Sequence, residues 1–322
     1  LQFSFNSKRA CNEPLPQINL AYDPNISFEE TEIAGLTTEA GDNWSASWGD
    51  MNNDGYDDLF ITDYNSTKSN SLFVNNGDKT FTEITTGNIA TDIASSLAAS
   101  WGDYDNDGDL DLFVANNIGS NNFLYTNNGD GTFAKVTSGH IVNYDGYCHG
   151  ASWADYDSDG FLDLFVSDFM PTRVNLLYRN LGDGTFQLIT SGDIISVSGH
   201  SIGASWGDVD NDGDPDLFVP NAGENNFFFR NNNGELTLET SSALAQNTDY
   251  TTGGSWGDYD NDSDLDLFVA NASDVSNQLF VNDGDGNFSN STTIIGTQLG
   301  NTHGSTWTDF DNDGDLDLFT TN

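Results

Sequence analysis

Between Asp103 and Asp111 the carboxylates alternate: Asp103, Asp105, Asp107 and Asp111 occupy positions one, three, five and nine of a short loop, with Gly108 at position six. Alternate side chains on a tightly turned backbone converge on one centre. Glycine admits the sharp bend after position five, and position seven, Asp109, offers its backbone carbonyl. So many hard oxygen ligands suit Ca²⁺, whose flexible shell takes roughly 6–8 oxygens, better than the tighter octahedron of Mg²⁺. No His or Cys lies in the loop, which disfavours zinc and copper.

The same arrangement recurs five more times. The other loops offer Asp50, Asn52, Asp54 and Asp58; Asp155, Asp157, Asp159 and Asp163; Asp208, Asp210, Asp212 and Asp216; Asp258, Asp260, Asp262 and Asp266; and Asp309, Asp311, Asp313 and Asp317. Their position-seven carbonyls belong to Tyr56, Phe161, Asp214, Asp264 and Asp315. Two loops depart from the pattern. Asn52 puts a neutral oxygen where the others have a carboxylate, and Ser263 stands where glycine is expected. A plain solvated acidic turn does not explain why the alternation returns at one offset from each of Trp48, Trp101, Trp153, Trp206, Trp256 and Trp307. One Ca²⁺ per loop, about six in all, is the expectation. Six divalent ions would bring the formal charge from -43 to -31.

The elements that must hold these loops are short strands. The tryptophans are 53, 52, 53, 50 and 51 residues apart, the period of a propeller or solenoid array in which each repeat is one supersecondary unit. In the second repeat Ala98–Trp101, Leu112–Ala115, Asn122–Thr126 and Thr132–Val136 read as four strands, with Asn128-Gly129-Asp130-Gly131 as a hairpin turn. Four antiparallel strands per repeat make a propeller blade, and no helical period is convincing. The last repeat stops after its second strand, Leu318–Thr321, while Ile18–Tyr22 and Ser27–Glu32 resemble the missing third and fourth strands. The expectation is therefore an all-β propeller of six four-stranded blades, the last closed by both termini. It comprises residues 12–322 behind an N-terminal tail, residues 1–11. Seven blades with one truncated is the alternative.

Composition narrows the function classes. Only 8 residues are Lys or Arg against 51 Asp or Glu, which speaks against nucleic acid and anionic membranes as partners. No apolar run approaches the ~20 residues of a membrane-spanning helix. Few lysines among many Asn, Ser, Thr and Gly point to an extracellular protein, secreted or at the cell surface. Cys11 and Cys148 could form one disulfide, within a chain or between chains, or remain two thiols.

With their flanking Ser-Trp-Gly-Asp and Asp-Leu-Phe-Val strands, these loops resemble the FG-GAP/VCBS repeat family, over essentially the whole chain beyond the first dozen residues. The family includes integrin α propeller heads, fungal propeller lectins and secreted bacterial surface proteins. The resemblance implies calcium in the loop joining a blade's first and second strands, at the Asp positions named above. Many family propellers have seven blades, from which six motifs and a split blade depart.

The leading expectation for function is extracellular recognition or adhesion, with carbohydrate as ligand and an extracellular protein as the other candidate partner. Trp44, Tyr144, Tyr147, His149, His200, Tyr250 and His303 are the candidate ligand residues, on connections at the face away from the acidic loops, where His140 also lies. Ring faces suit apolar C–H groups of sugars, and nearby amides suit hydroxyls. A packing or hydrogen-bonding role is the competing reading for the histidines, as blade packing is for the repeated tryptophans. A second class is a structural subunit of a filament, surface layer or matrix, an oligomer joined through the N-terminal tail. No nucleophile–base signature stands out, so no catalytic residues are expected; a polysaccharide lyase or hydrolase is the lesser alternative.

Overall fold

The computed structural model describes residues 2–4, 42–117, 119–291 and 299–321. These residues fall into two compact units, Glu29–Ser201, and Ile202–Asn322 together with Leu1–Phe28. The first unit holds three four-stranded antiparallel sheets in chain order. Sheet one is Asn43–Gly49, Asp58–Asp63, Ser71–Asn75 and Phe81–Ile84; sheet two is Ser96–Gly102, Asp111–Asn116, Phe123–Asn127 and Phe133–Lys135; sheet three is Cys148–Ala154, Asp163–Asp168, Leu176–Asn180 and Phe186–Leu188.

The second unit holds sheet four (Ser205–Gly207, Asp216–Val219, Phe227–Asn232, Glu235–Leu238) and sheet five (Thr251–Gly257, Asp266–Asn271, Gln278–Asn282, Phe288–Asn290). Its third sheet has three described strands: Gly304–Thr308, Asp317–Thr321 and, from the chain's start, Gln2–Ser4.

The last sheet draws on both ends of the chain, as expected, but through Gln2–Ser4. These residues belong to the stretch assigned as tail, yet they pair antiparallel with the last strand, Phe3 opposite Phe319. The open edge of Asp317–Thr321 presents unpaired N–H and C=O groups that an extended segment can satisfy. The opening run Leu-Gln-Phe-Ser-Phe alternates as a strand should. Ile18–Tyr22 and Ser27–Glu32 lie outside the described residues, as does Cys11.

Short helical turns follow the fourth strands: Asn88–Thr91, His140–Val142, Asp193–Ile195 and Ala243–Gln246. They bury Ile89, Ile141 with Val142, Ile194, and Leu244. One turn is too short to show a helical period, which is why the sequence did not reveal them.

Apolar side chains pack between neighbouring sheets. Phe113, Leu124, Leu164 and Tyr178 join sheets two and three, and Phe218, Leu267 and Phe280 join sheets four and five. The repeated Trp-Gly pair has its reason here. The indoles of Trp101, Trp153, Trp256 and Trp307 donate to the carbonyls of Ser47, Ser100, Ser205 and Ser255, each in the preceding sheet. A Cβ at Gly102 would lie 2.8 Å from the Trp153 ring, so glycine lets the next repeat's indole seat. The packing role expected for the tryptophans therefore holds for these four.

A second seam runs through asparagines that bracket each third strand. At one end the Asn70, Asn122 and Asn277 amides donate to Ser96 Oγ, Cys148 Sγ and Thr302 Oγ1 of the following repeat. At the other end Asn127 Nδ2 donates to Met51 O in sheet one's acidic loop, Asn180 Nδ2 to Tyr104 O and Asn282 Nδ2 to Val209 O, all at 2.7 Å. Each also caps a carbonyl of its own loop. Buried amides so satisfied fix one register between repeats. Cys148 thus stands where other repeats have a hydroxyl. It is a fully buried free thiol, its pKa pushed up to about 12, chiefly by burial.

Acidic loops and an aromatic surface

Each acidic loop joins the first and second strands of its sheet and organises itself. The position-one aspartate accepts the backbone N–H of positions five and six: Asp103 from Asp107 and Gly108, Asp155 from Asp159 and Gly160, Asp208 from Asp212 and Gly213. Asp50, Asp258 and Asp309 do the same in their loops, and all twelve distances fall between 2.8 and 3.1 Å. The position-five carboxylate accepts from position seven, as in Asp107 from Asp109 and Asp159 from Phe161.

Position nine is a buried anchor. Asp111, Asp163, Asp216 and Asp266 are at most 1% exposed. One oxygen of each accepts the backbone N–H of position two (Tyr104, Tyr156, Val209, Tyr259), and the other accepts the N–H of the third-strand asparagine (Asn127, Asn180, Asn231, Asn282). Burial nonetheless dominates and pushes Asp111, Asp163 and Asp266 up to about 7 and Asp216 up to about 6. Asp58 and Asp317 are raised for the same first reason. Asp105, Asp157 and Asp210 at position three are also raised, first by desolvation and further by neighbouring carboxylates, while Arg179 and Arg230 oppose the shift at Asp157 and Asp210.

The donor set fits a hard divalent cation. Carboxylate oxygens of Asp103, Asp105 and Asp107 lie within 4.8 Å of one another, as do those of Asp155, Asp157 and Asp163; Asp208, Asp210 and Asp212; Asp258, Asp260 and Asp262; and Asp309, Asp311 and Asp317. Within two of these clusters Asp157 Oδ1 and Asp210 Oδ1 are buried and, among the described residues, accept no hydrogen bond. Leaving an anionic oxygen dry and unbonded is costly. A cation in the loop removes that cost. Loop one contributes Asp50, Asp54 and Asp58, with Asn52 Oδ1 accepting from Asp54 N instead of adding charge.

Two further loop features were absent from the sequence reading. Position four adopts left-handed backbone in every loop, with φ of 56–59° at Asn53, Asn106, Ser158, Asn211, Asn261 and Asn312. Asparagine tolerates this conformation best after glycine. Several of its amides cross to the next loop: Asn53 to Gly108 O and Asp109 Oδ1, Asn106 to Gly160 O, Asn211 to Asp264 Oδ1, and Asn261 to Asp315 Oδ1. The N-D-G triplet is visible in loops one, two, four and six, but its reach to a neighbouring repeat is not. At position six, Ser263 has φ 78° where the five glycines have 89–97°. We expect Ser263→Gly to raise the stability of the protein by about 1 kcal/mol, read as a higher denaturant midpoint with an unchanged slope. No gain would mean that the serine side chain offsets its backbone cost.

At the opposite strand ends, the first unit gathers aromatic rings. Trp44, at the start of sheet one, lies 5.3 Å from Tyr64 with the rings tilted by 33° and meets His149 of sheet three edge-on at 6.0 Å. Tyr147 lies 5.9 Å from His149, and Phe169 lies 5.2 Å from both His149 and His200. Trp44 is 53% exposed, while Tyr64, Tyr147, His149, Phe169 and His200 are half-buried. Four predicted ligand residues thus come together, with Tyr64 and Phe169 as members the sequence reading missed. Both follow the aspartate that ends the second strand, Asp63 and Asp168, where repeats two, four and five have Asn116, Asn221 and Asn271; that difference is the available signal.

Tyr144 is engaged elsewhere. Its hydroxyl donates to Asp168 Oδ2 at 2.6 Å, and its ring lies near His140. Tyr250 and His303 belong to the second unit, where Tyr250 is 40% exposed and bridges Ala222, and His303 N donates to Thr321 O.

Comparison with known proteins agrees with this architecture. The model of the FG-GAP-like repeat matches residues 50–114, 103–166, 170–219, 208–269 and 258–320. No curated protein matches. Among solved structures, an Agrocybe aegerita lectin that recognises non-reducing terminal N-acetylglucosamine is similar, with TM-score 0.58 and 18% identity over 87% of this chain and 75% of that one. BBS1N, solved in complex with ARL6DN, is similar with TM-score 0.56 and 13% identity over 89% and 78% of the two chains. At these identities the likeness is one of fold: an all-β repeat propeller. Among the described residues no helix is long and apolar enough to cross a membrane.

Proposed function

Because this chain belongs to the FG-GAP-like repeat family, we propose that it is a secreted, calcium-stabilised recognition propeller of six blades, the sixth completed by the N-terminal strand, and that it binds carbohydrate. The observation that carries the ligand reading is the contact of Trp44 with His149, which joins sheets one and three into one aromatic surface with Tyr64, Tyr147, Phe169 and His200. Half-exposed rings offer faces to sugar C–H groups, and the imidazoles offer hydrogen bonds to hydroxyls. A lectin built on a similar fold supports the class of ligand without identifying the sugar. Calcium is supported by the acidic clusters, among them those of Asp103, Asp105 and Asp107, of Asp258, Asp260 and Asp262, and of Asp309, Asp311 and Asp317, which no arginine enters among the described residues. It would hold the loops that space the sheets, and so act on recognition through the fold.

The test is a glycan array probed with the calcium-loaded protein, the chelated protein and Trp44→Ala. Selective binding by the first, lost on chelation and weakened about tenfold in the variant, is expected from the removal of one ring face. Since Trp44 is 53% exposed, the variant should melt close to the parent. Silence of a folded, calcium-loaded sample across the array would sink the carbohydrate reading.

A further inference from the structure

We propose that Arg179 and Arg230 are resident cations of the third and fourth acidic loops, so that these two loops keep their shape with little need of metal and bind calcium more weakly than the others. The inference rests on the calcium reading for its second half only.

Both arginines sit one residue before the asparagine that ends a third strand, Asn180 and Asn231. From there Arg179 reaches Asp157 Oδ2 with Nε at 2.5 Å and Asp159 Oδ2 with Nη2 at 3.0 Å. Arg230 Nη1 lies 3.0 Å from Asp210 Oδ2 and 3.5 Å from the buried Asp216 Oδ2. The guanidinium charge therefore falls on positions three and five of one loop and on positions three and nine of the other. These carboxylates are the ones a metal would draw together. In the remaining sheets with a described third strand of this kind, the same register holds Val74, Thr126 and Val281, none of them cationic.

The chain has eight Lys and Arg in all, and two of its four arginines stand at this register. Arg230 is further secured, because Nη2 donates to Gly286 O of sheet five at 2.9 Å and the guanidinium lies over the Phe228 ring at 5.4 Å. A planar, permanently charged group suits such a fixed role. It neutralises part of the carboxylate repulsion in the absence of metal. When metal arrives it sits as a like charge a few ångströms away, a repulsion that lowers affinity about tenfold in a partly solvated site. The oxygens left without a partner, Asp157 Oδ1 and Asp210 Oδ1, show that the arginine covers only one side of each carboxylate.

Hydrogen exchange of the whole protein, in chelator and in calcium, separates the possibilities. In chelator the N–H groups of Asp159, Gly160, Asp212 and Gly213 should stay protected, while those of Asp107, Gly108, Asp262 and Ser263 exchange at least tenfold faster. Calcium should protect the latter group. In Arg179→Met, protection in chelator should fall at Asp159 and Gly160 alone and return with calcium, and terbium titration should show the third loop filling about tenfold more tightly than in the parent. Equal exchange of all loops in chelator, or no change in Arg179→Met, overturns the resident-cation role. If instead no loop responds to calcium while the arginine effect in chelator persists, the calcium reading has failed and the arginine latch has not.

Discussion

In excess EGTA the melting temperature should fall by on the order of tens of degrees relative to the calcium-loaded protein. The argument starts from the loops. Each brings three or four carboxylates toward one centre, and in five of them three oxygens lie within 4.8 Å of one another. Without a cation this repulsion is offset by backbone N–H groups and, in two loops, by Arg179 or Arg230. A metal that binds the folded loop and not the unfolded chain stabilises by about 2.7 kcal/mol per site at a hundredfold excess over its dissociation constant. Several such sites act on one chain, and each kcal/mol moves the midpoint of a domain this large by roughly 2 °C. Calorimetry with and without chelator, and with calcium restored, measures the effect. An unchanged midpoint would remove calcium as the stabilising ion.

The second large effect is a pH dependence whose sign depends on calcium. In the metal-free fold Asp111, Asp163 and Asp266 hold their protons up to about 7 and Asp216 up to about 6, because burial disfavours their charged forms. In the unfolded chain they ionise near 3.8, the ordinary value. Between these limits the folded state binds more protons than the unfolded state, so stability falls as pH rises. Each unit of displacement corresponds to about 1.4 kcal/mol per group. The chelated protein should accordingly be several kcal/mol more stable near pH 5 than near pH 7.5. Calcium needs the ionised carboxylates, so in its presence stability should rise over the same interval. Urea midpoints across this range, with and without calcium, test both slopes. Parallel slopes in the two series would mean that these aspartates do not sense the metal.

Much of this molecule is local, and local features are legible in order along the chain. The loop positions follow from Asp at alternate residues and a glycine at six. The strands follow from runs such as Leu112–Ala115, found within Asp111–Asn116. The hairpin turns follow from glycines such as Gly129 and Gly131, which have φ of 68° and 81°. The Asn-x-x-x-x-Asn frame of the third strand is equally visible, from Asn122 and Asn127 onward. Its meaning is not, because asparagine reads as a turn residue until its amide spans two repeats.

Other features depend on residues far apart in the chain, where periodicity carries no information. The pairing of Phe3 with Phe319 joins opposite ends of the chain, and no local signal in either segment announces it. The meeting of Trp44 with His149, and the inclusion of Tyr64 and Phe169, follow from how sheets one and three converge. The arginines differ from Val74 or Thr126 only by residue type in the sequence. Their role appears once the third strand, antiparallel to the second, brings Arg179 beside a loop twenty residues earlier in the chain. Spacing along a backbone sets which side chains can share a loop or a strand face, whereas the packing of strand on strand and sheet on sheet sets which distant charges and rings must answer one another.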